Sequence, residues 1–217
     1  MLTIAAIKVA KRRTPVRKRL FDLAFALPAA LLTTPATVGL GALSAVRYRR
    51  SPVFTQPRLG HGGGVFKFWK IRTLPRIAPE AADKYQLQSL DLPKFASVAR
   101  YRHLDEFPQL WLVLTGKMSL VGPLPEMPTL SASFDQQFVA ERLAVKPGCT
   151  GLWQVSTSAR RLIGESPEFD LHYVRNWTLR LDVWIAYRTI LAMTTATEIA
   201  RLDEIPRWTG AAVRHLS

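Results

Sequence analysis

Two stretches of the chain place an aspartate directly before a glutamate, with a hydrophobe and a proline behind them: Leu104-Asp105-Glu106-Phe107-Pro108 and Leu202-Asp203-Glu204-Ile205-Pro206. Adjacent carboxylates suit two kinds of chemistry. Their oxygens can hold Mg²⁺, and a carboxylate can attack phosphorus to give a covalent intermediate. Taken alone, either pair reads equally well as a solvated helix end. Context separates them. The first pair follows Arg100 and Arg102 and lies within a polar, proline-rich part of the chain, whereas the second follows the last strongly helical segment near the C-terminus.

Whatever these carboxylates do, 217 residues must position them, enough for one domain of ordinary size or one domain with a membrane segment. With 48% hydrophobic residues the chain can build a core. Its formal net charge of +14 favours polyanions: nucleic acid, an anionic membrane surface or phosphorylated substrates. No nucleic-acid-binding motif accompanies that charge, and a long apolar run is wrong for a soluble binder, so no nucleic-acid partner is expected. Cys149 is the single cysteine, which excludes an intrachain disulfide and fits a reducing compartment.

The apolar run extends from Leu23 to Val46, 24 residues without a charge. As a helix it measures about 36 Å, against a hydrocarbon core of about 30 Å. It is too long for a signal-peptide core and is followed by arginines instead of a mature start. Pro28 and Pro35 lie inside it, each removing a backbone donor, and Thr33 and Thr34 are placed to offer hydroxyls to freed carbonyls. Both flanks are basic: Lys8, Lys11, Arg12, Arg13, Arg17, Lys18 and Arg19 precede the run, and Arg47, Arg49 and Arg50 follow it. A spanning helix carries its positive charge mainly on one side. Basic residues at both ends predict a helix that enters, breaks at Thr34-Pro35 and leaves on the same cytoplasmic face, with its flanks against anionic lipid headgroups.

Beyond Arg50, Val53–Gln56 and Val65–Lys70 read as strands of a hairpin turned by Gly60-His61-Gly62-Gly63-Gly64. That glycine run lacks the Gly-Lys-Ser/Thr ending of a nucleotide-binding loop. A short helix is expected around 81–88, then one helix over 96–114 from the spacing of Val98, Leu104, Phe107, Leu110, Trp111 and Leu114. Further helices are expected over 131–144, 169–176 and 181–200, and a short strand over 152–155. No internal repeat is present. The reading is α+β: a basic N-terminal segment with a re-entrant membrane helix over 1–50, and a small, mostly helical cytoplasmic catalytic domain over 51–217 with a short β-hairpin and membrane-associated helices.

Several ordered blocks between about residues 17 and 195 resemble the bacterial sugar transferases, the monotopic polyprenyl-phosphate phosphoglycosyl transferases that initiate glycan assembly. They are Lys18-Arg19-Leu20-Phe21-Asp22, Thr34-Pro35 where a Ser-Pro break is usual, Pro52-Val53-Phe54, Gln56, Arg58-Leu59-Gly60 and Lys70-Ile71-Arg72-Thr73. Leu104–Leu110 and Gly116–Pro123 form the most characteristic stretch, followed by Lys146-Pro147-Gly148, Gly151, Trp153-Gln154-Val155 and Asp170–Val174. The resemblance implies that Asp105 attacks the sugar-linked phosphate of a nucleotide diphosphosugar and releases a nucleoside monophosphate. The phosphosugar then passes to a polyprenyl phosphate, and Glu106 holds Mg²⁺. A uridine donor is the family default, and the implied location is the cytoplasmic face of a bacterial inner membrane. Arg100 is the expected phosphate clamp, since a guanidinium can engage two oxygens at once. Lys70, Arg72, Lys117 and Asp170 are further substrate-binding candidates, each equally readable as a surface charge, and His103 could modulate Asp105. A homodimer is compatible with the sequence. Two departures stand out: Leu124 replaces the arginine of a usual Gly-Pro-Arg-Pro, and Ser158 stands where a Gly-Arg is usual, with Arg160 and Arg161 slightly later. They motivate one alternative, a non-catalytic membrane-bound relative that binds donor or scaffolds a glycan assembly pathway.

Overall fold

A computed structural model describes residues 9–75, 92–195, 198–199 and 201–212. The helix expected around 81–88 lies outside the described residues. The first element, α1 (Val16–Tyr48), is 33 residues long and ends at Arg49, which adopts the left-handed conformation. Both prolines lie inside it, so the expected break at Thr34-Pro35 is not an interruption of the helix. The threonines do not rescue the carbonyl that Pro35 frees, that of Leu31. Thr33 Oγ1 donates to Ala29 O (2.7 Å), Thr34 Oγ1 to Ala30 O (2.6 Å) and Thr37 Oγ1 to Thr33 O (2.8 Å). Such back-bonding bends helices without ending them.

Both ends of α1 are anchored by buried polar contacts. Near its start, Lys18 Nζ donates to Asp182 Oδ2 (2.8 Å), Tyr173 Oη (3.1 Å) and the Val121 carbonyl (3.0 Å). Asp22, one turn on, accepts from Ser119 Oγ and the Leu120 N–H. Near its far end Ser44 Oγ donates to Arg72 O and Tyr48 Oη to Thr73 O. Between the two docks Ala26 and Ala30 are still buried, Ala26 against Phe68 and Leu112, but from Leu31 to Leu40 no residue is, and Leu31, Leu32 and Val38 are strongly exposed. By length and composition it could cross a membrane.

The hairpin forms as expected, with β1 (Val53–Leu59) antiparallel to β2 (Val65–Ile71) and Phe54 opposite Lys70. Gly62 and Gly63 supply the positive φ that its turn requires. The single helix expected over 96–114 is instead two, α2 (Lys94–Tyr101) and α3 (Gln109–Leu114), with a 3₁₀ turn over Leu104–Glu106 between them. The cause is local. His103 is left-handed (φ 54°), which an α-helix cannot accommodate, and Pro108 restarts the chain at the head of α3.

A second, small sheet pairs β3 (Ser119–Val121) in parallel with β4 (Gly148–Thr150). The strand expected over 152–155 is a turn. The chain runs through it to Ser156, which bridges Ile199. Gly122 and Gly148 face one another closely: a Cβ on Gly148 would collide with the Gly122 backbone, and one on Gly122 with the Lys146 carbonyl. Helix α4 (Pro128–Ser131) ends where the helix expected over 131–144 was to begin, and that helix is shortened to α5 (Gln136–Leu143), which Asp135 caps by accepting from the Phe138 N–H at 2.8 Å. Helices α6 (Pro167–Arg175) and α7 (Leu179–Thr195) complete the domain. The latter stops short of the expected residue 200, since Ile199 is extended. The main core joins Val121, Leu152, Phe169, Tyr173, Leu181 and Ile185.

Removing one member of the Lys18–Asp182 pair leaves a buried charge without its partner, which costs about 3–5 kcal/mol. Lys18→Met is therefore expected to lower the unfolding temperature in detergent markedly, and Lys18→Met/Asp182→Leu to recover part of that loss. A single variant that melts with the wild type would show the dock to be dispensable.

Candidate active site

The left-handed turn at His103 swings the first acidic pair out of helical register and against β2. Asp105 is 4% exposed and Glu106 half-buried. Lys70, on β2, places Nζ 2.6 Å from Glu106 Oε1. His103 Nδ1 stands 4.0 Å from the same oxygen. Arg100, on the last turn of α2, donates weakly to Thr73 Oγ1 (3.5 Å), and its charge acts on Asp105. Three basic groups thus surround two carboxylates.

Their environments drive the two carboxylates apart. Burial raises the pKa of Asp105, opposed by the charges of Lys70 and Arg100. Glu106 also pays desolvation, but Lys70 and His103 outweigh it and hold this carboxyl well below the usual range. In return Glu106 raises the pKa of His103. The outcome is a poorly solvated aspartate beside a firmly ionised glutamate.

Lys70 extends from the hairpin over the ring of Phe68 (5.6 Å to its centroid), and Arg58 lies over the same ring at 5.5 Å. Arg58 is nearly buried and donates to Glu126 Oε1 (2.7 Å), the Pro125 carbonyl (3.1 Å) and Gln56 Oε1 (2.8 Å). It ties the hairpin to the proline-rich loop after β3. Sequence reasoning did not single out Arg58 or Glu126 as site residues. The signal was the two-residue period of a strand, which sets Gln56 with Arg58 and Phe68 with Lys70 on common faces.

Of the other expected site residues, Arg72 turns away. Its Nε donates to the Ser51 carbonyl and its guanidinium lies over Phe54. Lys117 is exposed after α3 and forms no ion pair with either carboxylate. Asp170 is not brought to the pair either; it is fully buried, and its Oδ2 accepts from Arg142 Nε at 2.7 Å, joining α6 to α5. Cys149 is a spectator: burial, then the charges of Glu106 and Asp22, push its thiol far above the ordinary value. The second acidic pair also lies on a 3₁₀ turn, Leu202–Glu204. There Asp203 pairs with the exposed Arg201 (2.9 Å), and Glu204 accepts the Arg201 N–H. It closes a turn.

A model of the family described as bacterial sugar transferase matches residues 13–196, spanning α1, the hairpin, the acidic turn and α7. The chain belongs to that family. Over 192 residues it is 34% identical to the exopolysaccharide production protein ExoY of Rhizobium meliloti, covering 81% of this chain and 84% of that one. It is also 34% identical over 211 residues to the UDP-galactose-lipid carrier transferase of Erwinia amylovora. The alignment takes in 88% of this chain but 43% of that longer protein. The UDP-glucose:undecaprenyl-phosphate glucose-1-phosphate transferase of Escherichia coli is 30% identical over 181 residues, 80% of this chain and 39% of its own.

Where the family pattern has an arginine, Leu124 packs half-buried against the main core and its carbonyl accepts from Arg142. A second guanidinium, that of Arg58, reaches this loop at the next two residues.

As pH falls, Asp105 should take up its proton before an ordinary aspartate does, and Glu106 only after ordinary glutamates. Lys70→Met removes the leading charge that opposes protonation of Asp105, so its titration should move further up. Carbon-detected NMR of carboxyl-labelled protein measures both. An unmoved Asp105 in the variant would mean that Lys70 does not act on it.

Proposed function

We propose that the chain transfers a sugar 1-phosphate from a nucleotide diphosphosugar to a polyprenyl phosphate, through a covalent phosphosugar on Asp105. The observation that carries this reading is the poorly solvated Asp105 carboxylate beside Lys70, Arg100 and an ionised Glu106. Family membership supports the reaction class, and the names of the relatives support a UDP-sugar donor and an undecaprenyl phosphate acceptor.

In the first step an Asp105 oxygen forms a bond to the sugar-linked phosphorus. The bond from that phosphorus to the bridging oxygen breaks, and the electron pair leaves with the nucleoside monophosphate. In the second, an oxygen of the polyprenyl phosphate bonds to the same phosphorus, the Asp105–phosphorus bond breaks, and the carboxylate returns. The products are a polyprenyl diphosphosugar and free enzyme. Two features of the chain favour the first step. Desolvation leaves the Asp105 carboxylate little water to shed, and Lys70 and Arg100 are fixed charges where negative charge gathers on phosphate. Phosphoryl transfer asks mainly for such positioning and charge neutralisation.

The donor set fits Mg²⁺. Among the described residues no group of three or more His, Cys, Asp or Glu side chains converges, and Mg²⁺ is typically held by one or two carboxylates together with substrate phosphates. Glu106, kept ionised, is the ligand the chain offers. The bound ion would offset charge on the diphosphate.

The re-entrant topology belongs to the same proposal. Both ends of α1 dock on one domain, and its stretch without buried residues, 31–40, contains Pro35 and the back-bonded threonines. A helix so held dips into the cytoplasmic leaflet of the inner membrane and returns, which makes the protein monotopic.

Nucleoside monophosphate release by detergent-solubilised protein, assayed over a panel of nucleotide sugars with Mg²⁺ and undecaprenyl phosphate, tests the reaction. Asp105→Asn should abolish release, by at least about 10³-fold given what loss of a nucleophile costs, while Asp203→Asn leaves it unchanged. Omitting the acceptor should let a phosphosugar adduct build up on the peptide containing Asp105, read by mass spectrometry. Release that survives in Asp105→Asn would sink the covalent mechanism. No release from any donor by folded protein would favour the non-catalytic alternative.

A further inference from the structure

We infer that Lys70 is a built-in counter-cation that occupies Glu106 until the donor arrives, so that the divalent cation enters with the nucleotide sugar and is not held beforehand. This inference rests on the proposed function, in which Glu106 is the metal ligand.

The geometry carries it. Glu106 Oε1 faces two basic groups, Lys70 Nζ at 2.6 Å and His103 Nδ1 at 4.0 Å. A divalent ion bound to that oxygen would sit within a few ångströms of the Lys70 ammonium, and like charges so close repel strongly in a partly desolvated site. Asp105 adds one adjacent carboxylate, itself under the charges of Lys70 and Arg100. Among the described residues no group of three or more His, Cys, Asp or Glu is arranged to hold a metal, so the chain alone offers too few anionic oxygens to overcome that repulsion. A diphosphate changes the balance. It brings its own oxygens for the cation and gives the displaced ammonium a new partner.

Lys70 is built for such a swing. Its ammonium lies over the Phe68 ring, 5.6 Å from the centroid, and the side chain remains partly exposed. Arg58 also lies over that ring, 5.5 Å from its centroid, and is itself fixed by Glu126, Pro125 and Gln56. The ring is thus a fixed platform across which a flexible four-carbon stem can change partners. The left-handed His103 likewise keeps Glu106 facing β2 with or without a ligand.

Direct metal binding tests this without substrate or turnover. Mn²⁺ serves as the paramagnetic probe for Mg²⁺, and the loss of the free-ion signal is followed by electron paramagnetic resonance on the full chain in detergent, with no nucleotide present. Wild type should bind Mn²⁺ weakly. Lys70→Met should bind it at least tenfold more tightly, Lys70→Arg should behave as wild type, and Lys70→Met/Glu106→Gln should lose the gain. Unfolding temperatures identify any variant that fails to fold, and Lys70→Arg keeps the charge with nearly the same bulk. Wild-type binding as tight as that of Lys70→Met would overturn the inference. So would a gain that also appears in Lys70→Arg or survives in the double variant. Nucleoside monophosphate release by the wild type judges the proposed reaction separately, so failure of one reading is distinguishable from failure of the other.

Discussion

The ammonium of Lys18 is buried among Asp182, Tyr173 and the Val121 carbonyl, and the Trp177 indole N–H donates to the same Asp182 carboxylate at 2.9 Å. Such a cluster adds little net stability over a well-packed apolar one, because both charges have left water. What it does is fix a register. Four elements meet at this point, α1, β3, α6 and α7, and only one rotation of α1 satisfies every group. Asp22 repeats the lock on β3, and Arg19 donates to the last carbonyls of α3, those of Val113 and Leu114. Since α3 follows directly from the acidic turn, the same few residues of α1 that hold the apolar helix also support Asp105 and Glu106.

From that dock the site is reached along two routes. One runs through β3 into the Gly122–Glu126 loop, whose Glu126 holds Arg58. The other runs through α3 to the 3₁₀ turn. They converge on β2, where Phe68 and Lys70 alternate with residues of the opposite face. The two adjacent carboxylates acquire different character because the backbone separates them: on a 3₁₀ turn, successive side chains point about 120° apart. One therefore enters the domain and the other meets Lys70.

The hairpin, α6 and most of α7 were legible because strand alternation and helical spacing are local properties. The same is true of the blocks that mark the family, which also singled out Asp105 and Glu106, and the structure brings these two beside Lys70 and Arg100. What escaped was of two kinds. His103 adopts a conformation rare outside glycine and asparagine, and apolar spacing carries no trace of it, so α2, the acidic turn and α3 read as one helix. Pairings such as Lys18 with Asp182 or Arg142 with Asp170 join residues far apart in the chain, and nothing near either partner announces the other. Asp170 accordingly read as a donor contact when it holds two helices together. A three-residue parallel ladder such as β3–β4 is too short to leave any period at all.

The dock at Lys18 joins the first described helix to one 164 residues later. At a synthesis rate of roughly 5–20 residues per second, that separation takes on the order of 10–30 s to traverse on the ribosome. Throughout this interval α1 has been made, while Asp182, Tyr173 and Trp177 have not. Its apolar stripe and its unpaired lysine and aspartate are therefore exposed early, and the lipid surface is the one place where the stripe is harmless. The order of synthesis thus brings α1 its core partners only at the end, long after its apolar stripe has been made. The hairpin and the acidic turn emerge between these two events and must wait for the last third of the chain before their scaffold closes.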